Sequence, residues 1–508
     1  MSTQLIISKA ACDTRAALVE DGRLAEFFLQ RHADQDPTGN IYKGRVLKVL
    51  PGIAAAFVDI GLERPAYLYV EEVSDTWDEL YSLWLKNETP EGSQPGGREH
   101  SPPSIADLLL PGQEVLVQVH RPPQGGKGAR LTTHVTLAGH YLVYTPTLAT
   151  LGVSKRVADE AERERLKTLL TELKPERGGL IARTASQTQN RDSLARERDA
   201  LLAVWQKVLH KSETSHAPAL LHQELDFPLR LVRDLFGPNT NLVAVDDPDL
   251  CQAVQNFLAG LHPWLKARVE CYSGTESIFS HYGLDVDWRR LLAPQVWLKS
   301  GGYLVIDTTE ALTAIDVNTG RFTGKNHLEE TVLKTNLEAA REAARQVRLR
   351  NLGGLIVIDF IDMEKAAHRD LVFDAMVEEL KKDRAKTTAL PISSLGLMEM
   401  TRQRLRDSLV QLTANVCPCC QGLGVTLSPL VLAHDILRQL TADAREFSGC
   451  RFTIQTHPEV ASCLRAEGQE VITRLHDAFQ AEVQILEEEG LPRGHYQLTR
   501  DWRGLKDR

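Results

Sequence analysis

The sequence predicts a multidomain α+β protein, and three observations carry that reading. At 508 residues the chain suggests roughly two to five domains rather than one core. Short strand-like runs separated by turn residues fill residues 1–125. From Trp297 onward, strands alternate with a long amphipathic helix.

Taken in order, 1–36 reads as short strands, with Asp21-Gly22 as a hairpin signal. Residues 37–125 add strands at 42–46, 54–60, 66–70 and 114–120, broken by Pro51-Gly52 and Gly61-Leu62-Glu63-Arg64. This is the pattern of a small β-barrel. Within it, 87–103 is rich in Gly, Pro, Ser and charge and reads as a mobile loop. Residues 126–217 and 218–291 are mixed, with a helix over 157–173 and a short strand over 179–184. A hairpin follows over 303–307 and 311–317. Next comes a helix over 329–350, with Leu333, Leu337, Ala340, Ala344 and Val347 on one face. Gly353-Gly354 ends the helix, and 355–361 is a strand. A small α/β segment, 425–508, closes the chain.

Composition bounds the function. A net charge of −9 argues against a protein that coats nucleic acid indiscriminately, but not against one with a local basic groove. No run approaches the roughly 20 apolar residues that span a bilayer. No secretory signal reads at 1–11, so a cytoplasmic location is the expectation. Five of the eight cysteines are scattered and read as reduced and buried; Cys417, Cys419 and Cys420 cluster.

Asp316 and Asn318 are two apart on a predicted strand, so they share a face. Asp359 interrupts the apolar run Leu355-Ile356-Val357-Ile358, where an unpaired charge is costly. A hard cation such as Mg²⁺, which takes one or two carboxylates and keeps its waters, would offset that cost. The competing reading is an Asp316 strand cap and an Asp359 ion pair. Asp307 and Asp362 are offset from the paired face and read as structural residues or as supports behind the ligands. Cys417 and Cys420 form one C-x-x-C, half of a tetrahedral zinc site, so two chains giving one pair each would complete it. A redox pair or free thiols are the alternatives, and no thioredoxin-like βαβ context is apparent.

The blocks Ile315-Asp316-Val317-Asn318, Thr335-Asn336-Leu337-Glu338-Ala339-Ala340 and the run from Arg348 to Met363 resemble the RNase E/G family. The resemblance extends over about residues 1–500. It implies an RNase H-like subdomain (1–36 and 218–291) holding an inserted S1-type OB-fold (37–125) and a 5′ sensor (126–217). A DNase I-like catalytic subdomain (292–413), a zinc link (414–424) and a small C-terminal domain (425–508) follow. By resemblance, Asp316 and Asp359 bind Mg²⁺ and Asn318 supports them. Phe57 and Tyr67 contact RNA by the same resemblance, and Lys127, Lys43 and Arg45 are candidate phosphate contacts by their basic side chains, Lys43 and Arg45 with less support from the resemblance. Gly139, Val143, Arg183 and Thr184 receive a 5′-monophosphate, Arg183 through a forked contact. Cys417 and Cys420 share Zn²⁺ between protomers, and Cys419 is a possible competitor.

The implied activity is Mg²⁺-dependent endonucleolytic cleavage of single-stranded A/U-rich RNA by a metal-activated water, leaving 5′-phosphate and 3′-hydroxyl ends. Its implied setting is ribosomal RNA processing and messenger RNA decay, by a homodimer that could pair into a homotetramer. Leu395 stands where the family has an aromatic, which weakens any carry-over from that loop. Arg402 and Arg404 are candidate phosphate ligands or ordinary salt-bridge partners. A non-catalytic RNA-binding regulator is the alternative function.

Overall fold

The structure is a computed structural model that describes residues 2–33, 36–73, 104–123, 127–157, 159–284, 288–320 and 328–502. The expected loop at 87–103 lies outside these, as do residues 124–126 just before Lys127. Two compact units divide at Leu409/Val410.

In the first unit, β1 (Thr3–Lys9), β2 (Asp13–Glu20) and β3 (Arg23–Arg31) form a meander. Asp21 and Gly22 both take positive φ at its second turn, as a tight hairpin requires. β4 (Ile41–Leu50), β5 (Ala55–Asp59), β6 (Ala66–Tyr69), β7 (Glu114–Arg121) and β8 (Arg130–Thr132) then close on themselves, because β4 pairs with both β5 and β7. The result is a five-stranded, OB-like barrel. Its core includes Val46, Val58, Leu68, Val117 and Leu131.

A second small sheet holds β9 (Leu137–Ala138), β10 (Leu142–Thr145), β11 (Leu151–Val153) and β12 (Gly179–Ala182). Helices α1 (Glu160–Glu172) and α2 (Arg191–Thr214) accompany it; Asp159 and Asn190 cap them by accepting from free backbone N–H groups. β13 (Ala219–His222) returns to the barrel at β4. β14 (Thr240–Val245) runs parallel to β1, and β15 (Val269–Cys271) parallel to β14. α3 (Phe227–Leu235) and α4 (Pro248–Leu261) cover that sheet.

The last sheet of this unit has the order β16 (Gln295–Trp297), β17 (Tyr303–Thr308), β18 (Leu312–Asn318), β19 (Gly354–Asp359), β21 (Leu397–Arg402) and β20 (Thr387–Ala389). The predicted hairpin is β17–β18. The predicted helix is α5 (Leu328–Leu349), which connects β18 to the parallel β19. Alternation decides the two faces. Leu304, Ile315, Val317, Ile356 and Ile358 pack against Ala339, Ala340 and Ala343 of α5, and α6 (Ala366–Leu380) adds Val372 and Met376. The opposite face is open.

A buried charge network joins the first and last sheets of this unit. Glu26 on β3 meets Arg348 of α5 at 3.1 Å and Arg384 at 2.8 Å, and Arg348 also pairs with Glu20 at 2.6 Å. Burial alone would raise the Glu26 carboxyl, but Arg384, Arg348 and Arg406 hold it below its ordinary value.

In the second unit, α7 (Pro429–Glu446) precedes β22 (Cys450–Thr456), α8 (Pro458–Glu467), α9 (Gln469–Phe479), β23 (Glu482–Glu487) and β24 (Tyr496–Trp502). β22 is central, parallel to β23 and antiparallel to β24.

Two sequence expectations need correction here. Cys251 and Cys271 are disulfide-bonded rather than free, because α4 and the neighbouring β15 bring their Cα atoms to 5.7 Å. The β22–α8–α9–β23 crossover is also the βαβ context that the sequence did not reveal near the cysteine cluster.

Candidate active site and RNA-contact surfaces

β18 and β19 end together on the open face. Their register pairs Asp316 with Asp359 directly, and Asn318 lies one pleat further along β18. Asn318 Nδ2 donates to Asp316 Oδ2 at 2.7 Å, fixing that carboxylate. Both aspartates are exposed, which corrects the idea of a buried Asp359: it ends its strand on the open face. Neither has a Lys or Arg partner among the described residues, so the ion-pair alternative finds no support. Partial desolvation, then the negative charges of Asp316 and Asp362, push the Asp359 carboxyl above its ordinary value.

Among the described residues no cluster of three or more His, Cys, Asp or Glu side chains could cage a metal. Two unneutralised carboxylates and an amide oxygen instead fit a hard cation that retains water. Asp307 is not offset from the paired face as the sequence suggested: register puts it on the open face, though at the far end of β17, opposite Ala314.

The loop after Asp359 is held from behind. Asn336, fully buried on α5, donates through Nδ2 to Ile361 O at 2.8 Å and accepts from Ile361 N at 3.2 Å. Gly396, at φ +80°, lies so close that a Cβ would come within 2.8 Å of Phe360 O. Beside it Leu395 is 74% exposed. Sequence reasoning quoted Asn336 only as part of a block and assigned it no role.

On the barrel, Phe57 and Tyr67 are directly paired neighbours on β5 and β6, and Tyr67 also pairs with Arg130 on β8. Both aromatics are half-buried on the outer side, as alternation with buried Val58, Ala66 and Leu68 dictates. Tyr69 extends the aromatic row: its ring centroid is 5.3 Å from that of Tyr67 and lies under the Arg130 guanidinium at 5.1 Å. Lys127 is exposed just before β8.

Lys43 and Arg45 are committed elsewhere. Lys43 Nζ donates to Ser212 O and Ser215 O and pairs with Glu114, and Arg45 donates to Ala217 O and Glu114. They tie the barrel to the end of α2, so they are corrected to structural residues. Arg402 is likewise structural: it is buried, forked onto Asp383 at 2.6 and 3.1 Å, and bonded to Asn351 Oδ1 and Leu352 O. Among the described residues Arg404 donates to Gly353 O.

Gly139, Val143, Arg183 and Thr184 gather about one end of the β9–β10–β12 sheet. Val143 pairs with Ala138 and Ile181, and Arg183 N bonds Tyr141 O. The Arg183 fork is used within the protein, Nη1 donating to Gly139 O at 2.6 Å and Nη2 to Asp234 Oδ1 at 2.7 Å. Thr184 Oγ1 lies 3.3 Å from Ser154 Oγ. Gly139 has no room for a side chain: a Cβ would meet Glu197 at 2.6 Å, and Glu197 is fixed by accepting from the backbone N–H groups of His140, Tyr141 and Leu142.

In the second unit, Cys417, Cys419 and Cys420 lie in turns ahead of α7. Hydrogen bonds from the Cys420 and Cys419 N–H groups and the Cys420 thiol hold the Cys417 thiol below its ordinary value. The pair is separated from β22 by the whole of α7.

Fold and site together define a multidomain α+β protein with an acidic strand-end centre and an OB-like barrel bearing outward aromatics. Residues 136–405 match the Ribonuclease E/G family, and residues 416–501 match the RNase E/G thioredoxin-like domain. Ribonuclease G of Salmonella typhimurium is 37% identical over 485 residues, covering 96% of this chain and 97% of that protein. Ribonuclease G of Escherichia coli K12 is 38% identical over 467 residues, covering 92% and 93%. Ribonuclease E of Haemophilus influenzae is 36% identical over 501 residues, 98% of this chain but 52% of its own length. The chain belongs to the ribonuclease E/G family.

Proposed function

We propose that this chain is an endoribonuclease that cuts single-stranded, A/U-rich RNA at the Asp316–Asp359 strand ends. The observation that carries the reading is the in-register pair of carboxylates, steadied by Asn318 and without a Lys or Arg ion-pair partner among the described residues. Held by Asp316 and Asp359, Mg²⁺ would supply an activated water and neutralise charge on the phosphoryl group, leaving 5′-phosphate and 3′-hydroxyl ends. Asn318 orients Asp316, and Asn336 holds the backbone beyond Asp359. On the barrel, Phe57 and Tyr67 stack bases while Lys127 meets phosphate. Arg183 and Thr184, with the backbone at Gly139 and Val143, receive a 5′-monophosphate; the phosphate then competes with Asp234 for the guanidinium.

Cys417 and Cys420 from each of two protomers would complete a Zn²⁺ site and make the active form a dimer, with pairing into a tetramer as a further step. Ribosomal RNA precursors and messenger RNA in the cytoplasm are the proposed substrates. No helix among the described residues is long and apolar enough to cross a membrane.

The test is cleavage of one RNA carrying either a 5′-monophosphate or a 5′-hydroxyl, in Mg²⁺ and in EDTA. Metal-dependent cutting that slows on the 5′-hydroxyl RNA is expected. Equal rates on both RNAs would remove the 5′ pocket, and no cutting would favour a non-catalytic RNA-binding role.

A further inference from the structure

The open face of the last sheet carries more than the carboxylates. Trp297, on edge strand β16, is 67% exposed, which is unusual for so large an apolar side chain. Register fixes where it points. Trp297 pairs with Tyr303, and Tyr303 pairs with Asn318, so all three share the face of Asp316 and Asp359. The core side is taken by Leu304 and Val317, with Val296 packed against them. The two rings meet edge-on, with centroids 5.3 Å apart and planes at 60°. Two strand spacings, about 10 Å, separate β16 from β18.

Round the edge strand, on the α5 side of the sheet, lies a cleft that carries basic side chains. Trp297 borders this cleft of about 850 Å³, whose walls include Arg23, Lys299, Lys334 and Arg341. These four are exposed and have no ion-pair partner among the described residues. Lys334 and Arg341 are seven apart on α5 and therefore on one stripe of the helix. Between them Glu338 accepts from Lys299 N at 2.6 Å and Ser300 N at 3.0 Å, which fixes the turn that follows Trp297. An indole held open against a second aromatic ring on the face of an acidic centre, with the unpaired cations lying round the edge strand on the α5 side, has the makings of a stacking platform for a nucleic-acid base.

We infer that Trp297 and Tyr303 form a base-stacking subsite for single-stranded RNA, holding a nucleotide close to the one cut at Asp316 and Asp359. The inference rests on the nuclease reading for the role of the carboxylates. It is separate from the barrel aromatics, which lie on a different sheet.

The test uses the full chain in EDTA with an A/U-rich RNA carrying 2-aminopurine at successive positions, and reads both affinity and quenching. Trp297→Leu keeps apolar bulk without a ring, and Trp297→Phe keeps a ring. Trp297→Leu is expected to weaken binding about tenfold to hundredfold, the worth of one stacked base. It should also abolish quenching at one position, while Trp297→Phe stays within about twofold of the wild type and keeps that quenching. Identical affinity and an identical quenching profile in Trp297→Leu overturn the subsite. Wild-type cleavage in Mg²⁺ is measured alongside. A wild type that cuts while Trp297→Leu binds normally overturns the subsite and leaves the nuclease. A wild type that never cuts yet shows Trp297-dependent quenching overturns the nuclease and upholds a stacking site.

Discussion

Asp316 and Asp359 stand opposite one another on adjacent parallel strands, 43 residues apart in sequence and in direct register in the sheet. The crossover through α5 brings these two parallel strands side by side. The cost is a like-charge pair at the strand ends, which adds to partial desolvation in raising the Asp359 carboxyl. The protein keeps that cost and spends buried polar groups to hold the geometry.

Asn336 is the clearest of these groups. Asn336→Ala removes both bonds to Ile361 and leaves its backbone unsatisfied, costing about 1–3 kcal/mol of stability. Misplacing the Asp359 loop should lower the single-turnover cleavage rate by up to about a hundredfold. RNA affinity in EDTA should not change. Equal losses in rate and affinity would contradict a positioning role.

Gly139→Ala tests the 5′ pocket. The added methyl meets a carboxylate that three backbone N–H groups hold in place, so it cannot be relieved by simple rotation. Overpacking of this kind costs about 1–3 kcal/mol, readable by urea unfolding. Preference for 5′-monophosphorylated RNA should fall with it. Unchanged stability would mean that Glu197 yields more freely than its bonds imply.

His140 makes stability depend on pH. It is buried and bonds through Nδ1 to Arg233 O. Burial, then the nearby Arg183 and Arg233 charges acting against Asp234, push its pKa down from 6.5 to about 4. Between those values the unfolded chain binds a proton that the folded chain refuses. The stability is therefore intact above pH 6.5 and is lost as pH falls toward 4. Between pH 7 and pH 5 the loss is about 2 kcal/mol, and His140→Asn should remove it from the urea-unfolding profile. An unaltered profile would contradict the assignment.

Cys417→Ser and Cys420→Ser should each lose zinc and sediment as monomers, whereas Cys419→Ser keeps both metal and dimer. Metal analysis with sedimentation reads this directly. A zinc-free wild-type dimer would break the link between the two.

Local pattern carried much of the fold. Alternation marked β17 and β18, and the apolar stripe of α5 and its glycine stop were plain in the sequence. The partners of charged residues were not. Lys43 and Arg45 resemble phosphate ligands until Glu114 and the end of α2, far away in the chain, are seen to hold them. Arg402 was hidden in the same way by Asp383. The Cys251–Cys271 bond depends on helix–strand packing that a spacing of 20 does not encode. Strand spacing set Asp316 and Asn318 on one face, but only the parallel pairing across α5 brings Asp359 beside them and carries Trp297 onto the same surface.

The most direct test of the account is the Mg²⁺ dependence of RNA cleavage by the wild type and Asp359→Asn, with a thermal melt of each. Removing one of two repelling carboxylates should leave the melting temperature equal or higher, while cleavage falls by about a thousandfold or more, the loss expected when several kcal/mol of metal stabilisation goes. Cleavage by Asp359→Asn at the wild-type rate and with the wild-type Mg²⁺ dependence would contradict the site.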